Sequence, residues 1–334
     1  MILAGDIGGT KTILALVICE QERVSTVVEQ IFKSKEYRGL ENIIQEFLSS
    51  DSVKSLTAPI RGACFGVAGP VVDEISITSN LPWVIAVPKL RTLLNIETVT
   101  LINDLEATAY GIPTLSASEL FDLNEAATSR TGNAALIAAG TGLGEAMLYW
   151  DGHSHHPIAS EGGHGDFAPR DELEIELLKY LLKHFGHASY ERVLSGPGLF
   201  NIYSFLRDSG YGDEPTWLKD ALKTQDAAAT ITRAAQERKN ELCVKTLDLF
   251  TSLYGAEAGN LALKFMALNG VYVGGGIAPK ILDELRDGAF LKAFHEKGRL
   301  SDVMKTIPVR VIMNPKAALF GAARYAHLLV NEQK

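Results

Sequence analysis

Three glycine-rich turns, each directly after a short apolar run, constrain most strongly how this chain can fold. The turns span residues 5–11, 140–144 and 274–276, and the runs before them span residues 1–4, 134–139 and 271–273. An apolar run of this length that ends in glycine is typical of a buried strand and a tight turn. Because glycine has no Cβ and adopts positive φ at little cost, backbone N–H groups in such turns can crowd around an anion. The spread of the three turns along the chain predicts phosphates held from two domains.

Size and composition fit an ordinary globular enzyme of two domains. The chain has 334 residues, 46% hydrophobic and 22% charged, with a net charge of −8. Without a stripe of Lys and Arg, this acidic balance disfavours a nucleic-acid partner. The three cysteines, Cys19, Cys64 and Cys243, are far apart and form no CxxC pair, which argues against a disulfide framework or a zinc knuckle. No basic, apolar leader opens the chain and no run approaches a membrane span, so we expect a cytoplasmic protein with no membrane partner.

The order of strands and turns suggests a duplicated fold. A strand, a glycine turn and two more strands are expected at residues 1–6, 12–19 and 24–31, and again at 134–139, 145–150 and 153–158. Further buried strands are expected at 63–67, 99–102, 271–273 and 309–312. Helices are predicted over 39–49 and 317–330, and residues 172–268 are mostly helical, including an apolar stripe from Cys243 to Phe265 with Gly270 as a stop signal.

Several short motifs, taken in order, resemble those of the sugar-kinase branch of the actin/Hsp70/hexokinase ATPase superfamily, and most closely the bacterial-type glucokinase family. The motifs are Gly5-Asp6-Ile7-Gly8-Gly9-Thr10, Ser79-Asn80-Leu81-Pro82-Trp83, Leu101-Ile102-Asn103-Asp104, Ala139-Gly140-Thr141-Gly142-Leu143-Gly144, Glu161-Gly162-Gly163-His164, Glu191-Arg192-Val193-Leu194-Ser195-Gly196 and Gly274-Gly275-Gly276-Ile277. They span nearly the whole chain, and the ordered set is far more specific than any one member.

The resemblance implies a fold, a reaction and partners. The fold is α/β, a two-domain actin-like ATPase (ribonuclease H-like) architecture in which each domain is a mixed five-stranded sheet flanked by helices, with the active site in the interdomain cleft. The expected domains are residues 1–112 with 315–334, and residues 113–314. The implied reaction is ATP-dependent phosphorylation of D-glucose to glucose 6-phosphate, the entry step of glycolysis. The implied assembly is a homodimer.

Two features distinguish the chain from related families: the first bears on a structural metal and the second on the range of sugars. The related ROK kinases carry a cysteine-rich zinc motif soon after the Glu-x-x-His element, whereas residues 165–169 here contain no cysteine; the chain therefore resembles the zinc-free glucokinases. Lys11, where many glucokinases have Asn, resembles the ROK form of the first loop. His153, His155 and His156 lie in a predicted strand without matching Cys or carboxylate ligands, so we do not expect a metal there.

The cofactors expected are ATP and Mg²⁺. Backbone N–H groups and a hydroxyl of the first loop suit the β- and γ-phosphates, and Lys11 adds a positive charge. Asp6 is expected to hold Mg²⁺ through water, because Mg²⁺ keeps much of its hydration shell. The alternative for each loop is a plain hairpin. The expected cofactor-binding residues are Gly5, Asp6, Ile7, Gly8, Gly9, Thr10, Lys11, Gly140, Thr141, Gly142, Gly275 and Gly276.

Asp104 is the candidate general base, and Asn103 beside it the candidate for orienting a hydroxyl. A carboxylate just past a buried strand can accept the proton of a sugar hydroxyl as that hydroxyl attacks the γ-phosphorus. The alternative is that Asn103 and Asp104 only cap the helix that follows; both roles are compatible. The other candidate sugar ligands are Asn80, Glu161, His164 and Glu191, because carboxylates and imidazole suit the many hydroxyls of a hexose. Singly, each of them is also typical of a solvated side chain.

Four alternatives stay open from the sequence alone. The same chemistry suits mannose, fructose or an N-acetylhexosamine, as in a ROK-type kinase for another hexose. Polyphosphate is a conceivable donor, although residues 274–277 favour a nucleotide. A sugar sensor without turnover would not need Asp104. An actin- or Hsp70-like ATPase would not need Glu161, His164 and Glu191.

Overall fold

The computed structural model describes residues 1–20, 22–78, 81–126 and 130–332, and the chain divides into two compact units. The first unit comprises Met1–Glu119 and Asn314–Lys334, and the second comprises Leu120–Met313. The C-terminal helix thus belongs to the same unit as the N-terminal strands. The domain boundaries expected from the sequence, at residues 112 and 314, stay a prediction.

The elements follow in chain order. The strands are β1 (Ile2–Ile7), β2 (Lys11–Glu20), β3 (Arg23–Lys33), β4 (Gly62–Val67), β5 (Val71–Val72), β6 (Ile75–Ile77), β7 (Val84–Ala86), β8 (Val99–Asn103), β9 (Leu120–Asp122), β10 (Ala134–Ala139), β11 (Leu143–Trp150), β12 (His155–Ser160), β13 (Gly270–Gly274) and β14 (Val309–Ile312). The helices are α1 (Leu40–Ser49), α2 (Asp51–Lys54), α3 (Val87–Leu94), α4 (Asp104–Gly111), α5 (Glu172–Phe185), α6 (Gly196–Asp208), α7 (Thr216–Thr224), α8 (Ala227–Gln236), α9 (Glu241–Phe265), α10 (Leu282–Arg286), α11 (Ala289–His295), α12 (Ser301–Met304) and α13 (Ala317–Glu332).

The first unit is a mixed five-stranded sheet covered on both faces. Its strand order is β3-β2-β1-β4-β8; the β1/β2 and β2/β3 pairs are antiparallel, and the β1/β4 and β4/β8 pairs are parallel. Successive residues of β1 point to opposite faces of the sheet and pack in two different hydrophobic clusters, because side chains alternate along a strand. Leu3 packs with α1 and α3, whereas Ala4 packs with α13 and with Ala107 of α4. A separate small sheet joins β5, β6 and β7.

The second unit contains a six-stranded sheet in the order β12-β11-β10-β13-β14-β9. Its first five strands repeat the order and the strand directions of the first sheet, with β10/β13 and β13/β14 parallel. The sixth strand, β9, pairs antiparallel with β14 and adds an edge that the sequence did not predict. A three-residue strand is too short to show the alternation from which strands are predicted.

The long helix α9 is the centre of the second core. The predicted stripe is buried from Cys243 to Leu261, and Phe265 is partly buried at its end. Around α9 pack α6, α8 and α11. Among the residues that the structure describes, no helix, α9 included, has the apolar length of a membrane span.

Two predicted boundaries were wrong. The helix α9 ends at Phe265, where Met266 takes a left-handed backbone with φ of 47°, whereas Gly270 begins β13 instead of stopping the helix. The strand expected from residue 153 begins at His155. Its delay has a local cause, because Oδ1 of Asp151 accepts the N–H groups of His153 and Ser154 at 2.7 and 2.8 Å and so extends the turn.

Candidate functional site

The first glycine loop joins β1 to β2 and is braced by a buried serine. The N–H of Gly8 donates to the carbonyl of Lys11 at 3.0 Å, so in this structure it closes the turn. The hydroxyl of Ser34 donates to the carbonyl of Gly8 at 2.7 Å, and the N–H of Ser34 donates to the carbonyl of Thr10 at 3.1 Å. The side chains of Thr10 and Lys11 are exposed at the tip of the loop. Nothing in the sequence around Ser34 signalled this role.

Asp6 and Asp104 lie close together on the first sheet. Asp6 of β1 is in register with Gly66 of β4, and Gly66 with Ile102 of β8, two residues before Asp104. A Cβ at Gly66 would lie 2.9 Å from Cβ of Ala107 and 3.8 Å from Cα of Asp104. The absence of a side chain at Gly66 therefore lets the first turn of α4 rest against β4. Burial, and then the charge of Asp104, raise the pKa of Asp6 to about 6.

Asn103 and Asp104 hold the start of α4, as the capping alternative requires. The N–H of Leu105 donates to Oδ1 of Asn103 and to Oδ1 of Asp104, each at 2.9 Å. The amide nitrogen of the Asn103 side chain donates to the carbonyl of Gly69 at 3.1 Å. These bonds fix where both side chains lie, at the end of β8. A capping carboxylate keeps further acceptor capacity, so the cap and a role with a substrate are compatible.

The first unit offers oxygen ligands that fit Mg²⁺. Asp6 is a largely buried carboxyl close to a second carboxylate, Asp104. Burial and the charge of Asp104 raise the pKa of Asp6, and the cationic side chain of Lys11 only partly offsets this rise. A cation beside Asp6 would relieve the repulsion that raises its pKa, and Mg²⁺ prefers carboxylate and water oxygens. The residues present therefore fit the ion expected from the sequence.

The second glycine loop follows β10 and is joined to two later segments of the same unit. The N–H of Gly140 donates to the carbonyl of Gly142 at 2.9 Å, and the carbonyl of Gly140 accepts the N–H of Gly196, the first residue of α6, at 2.8 Å. Thr141 is exposed at the tip. The loop therefore lies against the N-terminus of a 13-residue helix, where backbone N–H groups favour negative charge.

The segment after β13 meets the second loop. Gly275 has φ of +82°, and a Cβ there would lie 2.3 Å from the carbonyl oxygen of Ala139. The N–H of Ile277 donates to that same carbonyl at 3.2 Å. Cβ at Gly140 would lie 4.0 Å from the nitrogen of Gly276. Apart from Thr141, the predicted cofactor-binding residues of the second unit are thus neighbours. They are Gly140, Gly142, Gly275 and Gly276.

Glycine acts differently in these turns than the sequence suggested. Positive φ occurs at Gly275, whereas Gly8, Gly9, Gly140 and Gly142 keep φ outside the left-handed region. At Gly8 and Gly142 the reason is space: a Cβ would lie 3.0 Å from the carbonyl oxygen of Lys11 and 2.5 Å from Oε2 of Glu191, respectively. Close approach, rather than left-handed backbone, explains glycine at positions 8 and 142.

A buried tyrosine holds the ends of β10 and β13. The hydroxyl of Tyr254, on α9, accepts the N–H of Ala139 at 3.1 Å and lies 3.3 Å from the carbonyl oxygen of Gly274. Ala139 is the last residue before the second glycine loop, and Gly274 is the first residue of the third glycine turn. The sequence placed Tyr254 in the apolar stripe of its helix, and periodicity gives no information about where its hydroxyl points.

Glu191 braces the second loop with one carboxylate oxygen. Its Oε2 accepts the N–H of Leu143 at 3.0 Å and occupies the space beside Gly142. The guanidinium of the adjacent Arg192 lies 4.2 Å from the ring centre of Phe185. Glu191 is half-buried next to the residues that follow β10, which places a candidate sugar ligand beside the candidate phosphate loop.

Glu161 directly precedes a short 3₁₀ turn, Gly162–His164, that packs on β11 and ends with His164. Their side chains are 79% and 60% exposed, with His164 Nε2 3.8 Å from Glu161 Oε2. A Cβ at Gly163 would lie 2.1 Å from the carbonyl oxygen of Leu143, whose N–H is bound by Glu191. Leu143 therefore touches both candidate sugar segments. The structure brings Glu161, His164 and Glu191 to the same end of the second sheet.

Asn80 and the histidine segment, residues 153–156, are not part of this arrangement. Asn80 lies outside the described residues, so its predicted sugar contact stays a prediction. In the histidine segment, His156 Nε2 lies 2.7 Å from Asp151 Oδ2 and His155 Nε2 lies 2.9 Å from the carbonyl oxygen of Gly132. Within the parts of the chain that the structure describes, no three His, Cys, Asp or Glu side chains are grouped to hold a metal.

Comparison with known proteins places this arrangement in context. The sequence matches the family model Glucokinase over residues 3–329. It is 43% identical to the glucokinase of Trichormus variabilis, with 97% of this chain and 98% of the relative covered. Its fold resembles that of a glucokinase from an Antarctic psychrotroph, at 30% identity and a TM-score of 0.86 over 98% of both chains. The ROK family glucokinase from Streptomyces griseus, solved with glucose and AMPPNP, shares the fold at 21% identity and a TM-score of 0.64, over 98% of this chain and 99% of the other.

Proposed function

The chain belongs to the glucokinase family, and we propose that it transfers the γ-phosphoryl group of ATP to the 6-hydroxyl of D-glucose. The products are glucose 6-phosphate and ADP, and the reaction is the entry step of glycolysis. The resemblance that the ordered motifs indicated, and the actin-like ATPase fold that it implied, agree with the match to glucokinases over nearly the whole chain.

The placement of Asp104 beside Asp6 is the observation that carries the proposed mechanism. Asp104 is fixed by its cap on α4; burial, and then the charge of Asp104, raise the pKa of Asp6. In the proposed step Asp104 accepts the proton of the 6-hydroxyl while that oxygen bonds to the γ-phosphorus. The bond from the γ-phosphorus to the β,γ-bridging oxygen breaks, and ADP leaves with that oxygen. Asn103 orients the hydroxyl from the adjacent position.

The two glycine loops supply positioning and charge rather than covalent chemistry. We assign the phosphates of ATP to the residues 8–11 of the first loop and 140–142 of the second, and the adenosine side to Gly275 and Gly276. The N–H groups of Gly8 and Gly140 close their own turns, so the other backbone N–H groups of these loops, together with the Lys11 ammonium, stabilise charge that grows on the transferred phosphoryl oxygens. Asp6 is assigned to Mg²⁺ through water; when bound, the ion neutralises charge on the phosphate oxygens.

The sugar ligands are assigned to Glu161, His164 and Glu191, with Asn80 and Asn103 as further contacts. The exposed Glu161 and His164 carry acceptors and a donor that suit vicinal hydroxyls. Glu191 uses Oε2 to bind the N–H of Leu143, which leaves its other oxygen for a hydroxyl. This division would fix the sugar relative to the second loop, because one carboxylate contacts both.

The first test is ADP release from MgATP by the full-length protein, with and without glucose. We expect release that depends on glucose and a product identified as glucose 6-phosphate. Release with mannose, fructose or an N-acetylhexosamine but not with glucose would keep the phosphoryl transfer and overturn the sugar assignment. No release with any hexose, despite bound ATP, would overturn the kinase proposal in favour of a sensor or an actin-like ATPase. Replacing ATP by polyphosphate tests the donor in the same assay.

We propose further, from the family resemblance, that the protein acts in the cytoplasm as a homodimer. Sedimentation equilibrium over a range of protein concentrations tests the assembly directly. A species of one chain's mass, 36.2 kDa, at all concentrations would overturn the dimer and leave the reaction unaffected.

A further inference from the structure

A buried carboxyl, Glu145, lies beneath the turn that carries Glu161 and His164. It is the third residue of β11 and only 1% exposed. Its Oε1 has no hydrogen-bond partner among the described residues. Buried polar atoms are nearly always paired, so an unpaired carboxyl oxygen in the middle of a sheet needs an explanation. Nothing in the roles assigned above uses it.

The carboxyl fills space that glycine leaves in the turn. A Cβ at Gly162 would lie 2.2 Å from Oε2 of Glu145, and one at Gly163 would lie 2.1 Å from the carbonyl oxygen of Leu143. The hydroxyl of Ser160 donates to the carbonyl of Glu145 at 3.0 Å and accepts the N–H of Gly162 at 3.1 Å. Side chain and main chain of Glu145 thus both contact the segment 160–163, which holds Glu161.

The electrostatic surroundings disfavour an ionised Glu145. On α9, the fully buried Glu257 is paired with Lys264 at 3.2 Å and accepts the side-chain N–H of Asn260 at 2.7 Å. Burial, and then the charge of Glu257, raise the pKa of Glu145 to about 7, while Lys264 acts in the opposite direction. Glu145 therefore changes charge near neutral pH.

Other titratable groups lie near Glu145 and Glu257. They are Tyr254 on α9, Tyr190 on the turn Tyr190–Arg192, Lys297 after α11, and Glu161 and His164 on the sugar-binding turn. Burial raises the pKa of both tyrosines, so they stay neutral at pH 7. Burial, and then Arg170, lower the pKa of Lys297 to about 8. Lys297 and His164 are therefore the groups from which an effect of Glu145 must be separated.

We propose that Glu145 is a positioning residue for the sugar-binding turn: its neutral carboxyl keeps Gly162 packed on β11, and its ionisation weakens glucose binding. This inference rests on the proposed function, because glucose is the ligand of the turn. An ionised carboxylate here would be desolvated, unpaired at Oε1 and repelled by Glu257, which favours states in which the turn lifts and admits water.

The sign of the pH dependence follows from linkage. If glucose binds the packed turn, binding favours the neutral carboxyl and raises its pKa further. Glucose binding then takes up a fraction of a proton, which is largest between the pKa of Glu145 in the free protein, about 7, and its higher pKa in the complex. The Kd for glucose rises with pH by at most about tenfold per pH unit for a single proton.

The test is calorimetric titration of the full-length protein with glucose from pH 6 to 8.5, in two buffers with different ionisation enthalpies. We expect the unaltered protein to take up protons on binding glucose and its Kd to rise with pH. In Glu145→Gln, whose side chain has the same shape but cannot ionise, both the proton uptake and the rise of Kd with pH should be lost. The matched control is Glu214→Gln, a mostly buried carboxylate of the same unit bonded to Tyr203 and Arg207. It should keep the proton uptake and the pH dependence.

Each outcome has a defined meaning. A loss confined to Glu145→Gln supports the inference and excludes His164 and Lys297 as the source. Equal proton uptake in Glu145→Gln and the unaltered protein would overturn it. So would glucose binding by the unaltered protein without proton uptake, a result that does not depend on whether the variant folds. No glucose binding by the unaltered protein would overturn the proposed function as well, a result distinct from the other two.

Discussion

The two units build sheets with the same strand order and put different chemistry at the strand ends. In the first unit the parallel strands β1 and β8 end near carboxyl groups, Asp6 and Asp104. In the second unit β10, the counterpart of β1, ends in Ala139, and its parallel neighbour β13, the counterpart of β4, ends in Gly274. Both strands lead into uncharged glycine-rich backbone. The strand ends of the first unit thus carry carboxyl groups, whereas those of the second unit carry backbone that a ligand can approach closely.

The difference between the units shows how a repeated topology takes on two roles. Where carboxylates meet, burial and mutual repulsion shift a pKa, as at Asp6, and favour a cation and a base. Where small residues meet, a buried hydroxyl, that of Tyr254, accepts the backbone N–H of Ala139 at the end of β10. The charged sugar ligands of the second unit lie instead on turns after β12 and before α6.

Replacing the proposed base should give the largest effect. We expect Asp104→Asn to lower kcat by about 10²-fold or more while glucose still binds, because an amide cannot accept the hydroxyl proton. Steady-state kinetics with calorimetric glucose binding measure both quantities. Glu106→Gln, two residues along α4, is the matched control and should leave kcat within about threefold. An unchanged kcat in Asp104→Asn would remove Asp104 from the mechanism.

Altering the sugar turn should act on KM rather than on kcat. Glu161→Gln is expected to raise the KM for glucose by about tenfold or more, because a sugar hydroxyl loses a charged partner. The KM for ATP should stay the same. Asp166→Asn changes an exposed carboxylate five residues further on, bonded to His187, and should alter neither constant. A change confined to the KM for ATP would contradict the assignment of this turn to the sugar.

A methyl group at Gly275 tests the close approach of backbone in the second unit. Gly275→Ala forces a Cβ against the carbonyl of Ala139 at positive φ, and we expect the free energy of unfolding to fall by about 2 kcal/mol or more. At Gly276 a Cβ meets nothing within 4 Å, so Gly276→Ala should change stability by no more than about 0.5 kcal/mol. Urea titration of both variants measures this difference. Equal stabilities would show that the crowding at Ala139 is relieved without cost.

The smallest effect is expected from a single hydroxyl. Tyr254→Phe leaves the N–H of Ala139 without its buried partner, which should cost about 1–3 kcal/mol of stability. It should also raise the KM for ATP by about two- to fivefold, since the second loop begins at Ala139. Tyr203→Phe removes the hydroxyl of an equally buried side chain, bonded to Glu214, and should lower stability without changing the KM for ATP. The same KM for ATP in both variants would contradict the positioning role.

Much of the fold was predictable because local patterns and topology agree. Short apolar runs ending in glycine correctly located β1, β10 and β13, and the apolar stripe located α9. Boundaries failed where side chains intervened: Asp151 lengthened a turn, and Met266 ended a helix with left-handed backbone that β-propensity and periodicity do not signal. The three-residue strand β9 pairs with β14, nearly 190 residues away in the sequence. A pattern read over a short stretch of sequence cannot detect such a pairing.

By itself, the sequence determined the family, the order of the strands and glycine turns, and the residue types offered to phosphate, metal and sugar. These follow from motifs and spacing, which are properties of neighbours along the chain. Only the tertiary structure decided that Ser34 braces the first loop and that Gly66 lets the first turn of α4, with Asp104, rest against β4. It also decided that the buried Glu145 packs against Gly162, with Oε1 unpaired among the described residues. Each of these depends on contacts between residues far apart in sequence, where packing fixes distance, burial and therefore charge.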